Sequence, residues 1–200
     1  FLYGGLDDER VARIETIYEP PQDGDKTVYR AKTSEDSGDV SERAESVAKM
    51  LGLGRTGLIF STKPRKAILS GIDILTAAQI AVEEEEKYGE EAAKGIVILV
   101  VSLAEGNQTL FEAYQLSDQC VEMYKAGVFL PAEQQKANSG RIKTKDEVYV
   151  EGKEVTAVHT EFFLMNVPIR DHDSWLRQSF PVENRDFHPQ SPSDVGESLR

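Results

Sequence analysis

The chain has 200 residues, enough for one domain with appendages, and its 35 acidic against 23 basic side chains leave a net charge of −12. That balance excludes the basic face a nucleic-acid binder needs and suits partners that are proteins. The longest apolar run, 96–101, is far too short for a membrane span, and the single cysteine, Cys120, excludes a disulfide or a cysteine zinc finger within the chain and points to a reducing compartment.

The opening FLYGGLDDER lacks the basic-then-apolar pattern of a signal peptide. It starts in mid-pattern without a methionine, as expected of a piece of a longer protein. FLYG reads as a strand, and VARIETIY as a second, half-buried strand stopped by Pro20-Pro21. Residues 22–41 read as a polar loop with one short strand near Thr27–Arg30. Ala44, Val47, Ala48 and Leu51 recur at helical spacing, and Gly52 stops that helix. Thr56–Phe60 is a strand. A second helix starts at Ser70 and runs through Ile72, Leu75, Ala78 and Val82 into the acidic tract Glu83–Glu86, which reads as a solvated helix end. Ile96–Leu103 reads as a central buried strand, turned by 105–107 into Thr109–Leu116. Ser117 caps a third helix ended at Gly127. Residues 131–147 read as a loop. Val155–Leu164 alternates, with Thr156, Val158, Thr160, Phe162 and Leu164 on one face. The tail from Pro189 on has the composition of a linker. The order β-β-α-β-α-β-β-α-β predicts an α+β fold: a mixed, largely antiparallel sheet flanked by helices.

Familiar chemistry is scarce. Zinc needs convergent His, Cys or carboxylate ligands, yet His159, His172 and His188 are far apart, and no H-x-H, H-E-x-x-H or C-x-x-C occurs. His159 and His172 read as surface residues, and His188 lies in the tail. There is no G-x-S-x-G elbow, P-loop or G-x-G-x-x-G. Cys120, at core spacing on a helix, reads as a buried structural thiol.

One stretch carries more. Residues 57–64 are GLIFSTKP, and 69–73 are LSGID. This resembles the metalloprotease signature of the MPN (JAB1/MPN/Mov34) domain, in which a strand delivers G-x-x-H-x-H-P and the next helix begins L-S-x-x-D. Gly57, Ser61, Leu69, Ser70, Gly71 and Asp73 match. The histidine positions hold Phe60 and Thr62, which offer zinc no imidazole, so at most Asp73 is retained. The glutamate such enzymes use as general acid/base would precede Phe1. Ser70 and Asp73 have a plainer role as well, since S-x-x-D before an apolar helix is a capping box.

Further segments narrow the resemblance. FLYG, IYEPPQ, the Gly-Leu-Gly-Arg-x-Gly-x-Ile-Phe strand, FEAYQLSDQC and FPVENRD are similar, in order, to the nuclear protein localization protein 4 family. The resemblance implies a cytidine-deaminase-like MPN fold over 1–180, lacking an N-terminal part, with insertions at 22–40 and 131–150. It implies that 181–200 lead toward a C-terminal helical domain. It also implies a non-enzymatic adaptor without cofactor or metal in this domain, which binds ubiquitin chains and the ubiquitin-fusion-degradation 1 partner and serves the valosin-containing AAA+ ATPase, that ATPase mainly through upstream domains. The family works in cytoplasm and nucleus and peripherally at the endoplasmic reticulum, in proteasomal degradation. Tyr18, Glu19, Pro20, Pro21, Phe60 and Thr62 are the candidate ubiquitin or partner contacts. Two alternatives stay open: an MPN scaffold of a lid-like complex, and a zinc isopeptidase completed by His159 or His172.

Overall fold

The computed structural model describes residues 1–20, 22–24, 29–31, 40–62, 67–103 and 108–176. The chain begins with an antiparallel hairpin, β1 (Leu2–Leu6) and β2 (Ala12–Ile17). A smaller hairpin follows, β3 (Gln22–Gly24) with β4 (Tyr29–Ala31), where the sequence predicts only one strand. Then come helix α1 (Val40–Met50), strand β5 (Gly54–Thr62), helix α2 (Gly71–Tyr88), the short helix α3 (Glu90–Lys94), strands β6 (Val97–Leu103) and β7 (Thr109–Leu116), and helix α4 (Asp118–Lys125). The hairpin β8 (Arg141–Val150) and β9 (Lys153–His159) and the strand β10 (Leu164–Val167) complete the described part.

Six strands make one mixed sheet in the order β10-β7-β6-β5-β1-β2. Only β5 and β6 are parallel; every other neighbouring pair is antiparallel. The expected α+β fold is therefore the observed one, and β6 lies inside the sheet as its apolar composition predicts.

The core lies between one sheet face and α2. Leu58, Ile98, Val100 and Tyr114 pack there with Ile74, Ala77, Ile80 and Ala81. Each fully buried Ile or Leu contributes about 1.5–3 kcal/mol relative to exposure. The buried line of α2 differs from the expected one. Ile72 and Val82 are only half-buried, while Glu84, on the line through Ile80 and Ala81, is 2% exposed. The acidic tract is thus not uniformly solvated. The Glu84 carboxylate accepts hydrogen bonds from Arg55 at 2.9 Å, and Glu83 adds a second acceptor at 2.6 Å. The Arg55 guanidinium also lies 5.3 Å from the centre of the Phe1 ring, within cation–π range.

Other expectations shift in instructive ways. Among the described side chains of α1 only Ala48 is buried; Val47, expected inside, is exposed. Residues 131–140 hold only a short 3-10 turn, as a loop can, but 141–147 are not loop: β8 starts at Arg141 and buries Ile142 and Thr144. The expected strand over 155–164 breaks at Thr160, whose buried hydroxyl donates to the carbonyls of Leu69 (2.8 Å) and Gly140 (3.2 Å). The chain turns through a 3-10 segment there, so Phe163 points inward and Phe162 outward. The predicted turn at 105–107, the segment FPVENRD and the region 181–200 lie outside the described residues.

Candidate functional site

In an open α/β sheet the crevice at the carboxyl ends of parallel strands, beside a helix N-terminus, is the usual place for a ligand. Here that place is set by β5, α2 and β6. The two strands end level with each other, Thr62 opposite Ser102. Their close approach at the other end depends on Gly57, because a Cβ there would lie 1.9 Å from the Val97 carbonyl oxygen.

Phe60, Thr62 and Asp73 occupy this end. Phe60 and Thr62 share a face of β5; both are half-buried, and the Phe60 ring packs against the main core. Asp73 is buried at the third position of α2. Its Oδ2 accepts from the Ser70 backbone N–H at 2.7 Å and from the Ser70 hydroxyl at 2.9 Å, while its own N–H donates to Ser70 Oγ at 3.3 Å. The predicted capping box is present in full. The carboxylate sits in the positive field of the helix start and closes the cap there.

The helix start is braced from outside. Gly71 N–H donates to the Ser139 carbonyl, and a side chain on Gly71 would run into the Arg141 carbonyl of β8. Gln135, almost fully buried, ties the brace together: its amide donates to the carbonyls of Leu130 and Lys143 and accepts from the Lys143 N–H. Reading 131–147 as a loop misses this support. The signal is short, Ile142 and Thr144 alternating with charged neighbours.

The histidines are elsewhere. His159 is exposed at the end of β9, with Nε2 3.0 Å from Arg141. His172 pairs with Glu15 on β2 at 2.8 Å. His188 lies outside the described residues. Among the described residues no three His, Cys, Asp or Glu side chains converge as metal ligands. What the site does present is apolar surface. At the same end of the sheet Leu110, on the face of Phe60 and Thr62, and Leu103 and Phe111, on the opposite face, are all about half exposed.

The second predicted group, Tyr18 to Pro21, follows β2, with β1 between it and β5. Tyr18 is half-buried, and its ring joins a small cluster of Tyr3, Ala48 and Leu53. Its N–H donates to the Phe1 carbonyl, and its buried hydroxyl has no protein partner among the described residues. Glu19 is exposed and Pro20 half-buried, while Pro21 lies outside the described residues. The structure thus turns Tyr18 inward and leaves Glu19 at the surface. A separate cleft of about 370 Å³ lies between α2, α3 and α4, with Ala93, Ile96 and Val121 in its floor and the Lys125–Glu85 and Lys94–Glu90 ion pairs at its rim. No described helix is long and apolar enough to cross a membrane.

No protein-family model matches the chain. It is 36% identical over 188 residues to the nuclear protein localization protein 4 homolog of Dictyostelium discoideum, which covers 92% of this chain and 30% of that protein. It is 35% identical over 190 residues to NPL4-like protein 1 of Arabidopsis thaliana, covering 92% and 44%. With the NPL4-like protein of Oryza sativa subsp. japonica the identity is 30% over 190 residues, covering 92% and 45%. The chain spans less than half the length of these curated relatives.

Proposed function

The chain belongs to the nuclear protein localization protein 4 family, and from this premise we propose that the segment is an MPN-type binding module that holds polypeptide and catalyses nothing. The observation that carries the reading is the composition of the β5–α2–β6 end. A hydrolase of this design needs imidazoles where Phe60 and Thr62 stand. Asp73, the one retained donor, is engaged by Ser70. On the same face Leu110 offers a half-exposed apolar side chain beside Phe60 and Thr62. Such a surface favours an extended or unfolded segment, bound through side-chain burial and, at free strand edges, through backbone pairing.

In the whole protein this module acts as an adaptor. It engages ubiquitin chains and the ubiquitin-fusion-degradation 1 partner, so that modified proteins reach the valosin-containing AAA+ ATPase for unfolding and proteasomal degradation. It works in cytoplasm and nucleus and peripherally at the endoplasmic reticulum. The net charge of −12 supports protein partners over nucleic acid.

The test uses the full-length protein carrying this segment in pull-downs with ubiquitin chains and with the ATPase. Capture of both, with ubiquitin capture weakened at least about tenfold by Leu110→Asp, is expected; a charge in an apolar contact costs more than the roughly 1.4 kcal/mol that tenfold represents. Failure to bind either would leave the scaffold alternative. One zinc per chain, lost on Asp73→Ala and accompanied by cleavage of ubiquitin chains, would overturn the non-enzymatic reading.

A further inference from the structure

The strongly negative net charge conceals one local exception, on the hairpin β8–β9. Along the first half of β8 the side chains of Ile142 and Thr144 are buried, and those of Arg141, Lys143 and Lys145 alternate with them on the solvent side. In the ladder Arg141 stands opposite His159, and Lys143 opposite Ala157. The facing positions of β9 are thus an exposed histidine and a half-buried alanine, neither of them acidic. Lys136, also exposed, follows Gln135, whose side-chain amide is bonded to the Lys143 backbone. At the other end Lys145 Nζ reaches over Gly127, where it would lie 3.4 Å from an added Cβ, so the basic face ends against the C-terminus of α4.

Elsewhere the cations of this acidic chain find partners. Arg10, Arg13, Arg55, Lys87, Lys94 and Lys125 each hold a carboxylate. Arg141, Lys143 and Lys145 hold none among the described residues. The Arg141 guanidinium donates to His159 Nε2 at 3.0 Å, which steadies it and leaves its other N–H groups for an acceptor. The strand beneath is fixed. The Lys143 carbonyl accepts from the Leu130 N–H and the Gln135 amide, the Lys143 N–H donates to Gln135 Oε1, and the Lys145 N–H donates to the Val128 carbonyl. With these backbone groups occupied, no further strand can pair along 143–145, and recognition here runs through the side chains. Alternate residues on one strand face lie about 6.6–6.8 Å apart. An extended peptide presents every second side chain at that same interval.

We propose that the solvent face of β8, carrying Arg141, Lys143 and Lys145, docks an extended acidic segment of a partner polypeptide with carboxylates at every second residue. Charge complementarity carries the assignment: three cations without a described carboxylate, at a two-residue period on a braced strand, in a chain whose net charge is −12. Nucleic acid fits this face poorly, because a phosphate polymer would gain few contacts here and meet repulsion from the rest of the chain. A short acidic segment needs only the face itself. The attraction acts between exposed charges, so it is screened by salt. It does not depend on the apolar site at the β5–α2–β6 end.

The test uses the full-length protein carrying this segment and a fluorescein-labelled peptide of alternating glutamate and serine, followed by fluorescence anisotropy at low and high salt. The parent is compared with Arg141→Glu/Lys143→Glu/Lys145→Glu and with Arg10→Glu/Lys49→Glu/Arg170→Glu, which changes the net charge equally at exposed positions on other elements. The expected result is peptide binding by the parent that weakens with salt, a loss of at least about tenfold in the first variant and of less than about threefold in the second. Far-UV circular dichroism monitors the fold. If the first variant does not fold, Arg141→Gln/Lys143→Gln/Lys145→Gln decides, with an expected loss of about threefold or more. No measurable binding by the parent would overturn the proposal, and so would equal losses in the two reversal variants, which would assign the effect to net charge. A single-stranded oligonucleotide of matched length bound more tightly than the peptide, and lost in the first variant, would overturn the choice of partner. Ubiquitin binding enters none of these readouts, so its failure in the pull-downs leaves this test intact.

Discussion

Replacing Arg55 by alanine tests the buried charge cluster that joins β5 to α2. The Arg55 side chain is 8% exposed and that of Glu84 is 3% exposed. Removing the guanidinium leaves Glu84 buried without its partner and strips the contact with Phe1. Truncating one member of a buried pair costs about 3–5 kcal/mol. Glu83, more exposed, can turn to water, so the lower part of that range is expected, about 3–4 kcal/mol. For a domain of this size that lowers Tm by roughly 6–16 °C. The pH dependence adds a second check. Burial, ahead of the opposing attraction of Arg55, holds the Glu84 pKa above the ordinary carboxylate value. A raised carboxyl pKa means that the folded state binds more protons than the unfolded one between the two pKa values. Stability from this group is therefore present in acid and lost as pH rises through that window. Without Arg55 the window extends upward, so the penalty of the variant shrinks as pH falls toward 5. Urea melts at several pH values measure both quantities. The double variant Arg55→Met/Glu84→Leu should regain most of the loss, because an apolar pair carries no desolvation penalty. A loss under about 1 kcal/mol for Arg55→Ala, or a double variant no better than the single one, would refute the reasoning.

Three other perturbations address the frame of the site. Gly57→Ala should cost about 3 kcal/mol, since its Cβ would meet the Val97 backbone rather than a movable side chain, and a denaturant melt would show it. Ser70→Ala removes the two bonds of the Ser70 hydroxyl to Asp73, leaving the Ser70 backbone N–H on Asp73 Oδ2, and should cost about 1–2 kcal/mol; an unchanged melting midpoint would refute the cap. Cys120 is fully buried, and burial pushes its thiol up to about 12, so it should resist aromatic disulfide reagents at pH 8 in the folded protein and react promptly in denaturant.

What the sequence revealed about the fold was mostly local. Gly52, with φ at 73°, stops α1 because only glycine takes that conformation at little cost. Ser70 and Ser117 cap their helices through their own hydroxyls. The apolar run of β6 places it inside the sheet, though not every side chain is buried: Leu99 and Val101 are half-buried and Leu103 is exposed. The misses share a different cause: the deciding partner is distant in sequence. Glu84 is buried because Arg55 meets it, 29 residues earlier. Thr160 breaks its strand because the Leu69 carbonyl lies within reach of its hydroxyl. β8 is polar in composition because only Ile142 and Thr144 face inward near its start. Tyr18 and Phe60, expected as partner contacts, are both half-buried with rings packed against core clusters. The exposed residue beside the site, Leu110, sits in a strand segment that reads as ordinary alternation.

The signature at 57–73 separates into two layers with different physical demands. Gly57 is needed because β6 backbone passes where its side chain would be. Ser70 and Asp73 are needed because a buried helix start must satisfy its N–H groups. Gly71 is needed because β8 packs on that start. None of these requirements involves a metal, so a chain can lose both imidazoles and keep every other position of the motif by folding constraints alone. The converse also holds. Restoring histidines at 60 and 62 would not by itself rebuild a zinc site, since Asp73 Oδ2 is held by Ser70 and the Phe60 ring fills core volume. A Phe60→His/Thr62→His variant should therefore lose stability, by the removal of a packed aromatic ring. It should gain no stoichiometric zinc by metal analysis. Tight zinc binding by that variant would show that the cap is more easily surrendered than its hydrogen bonds imply.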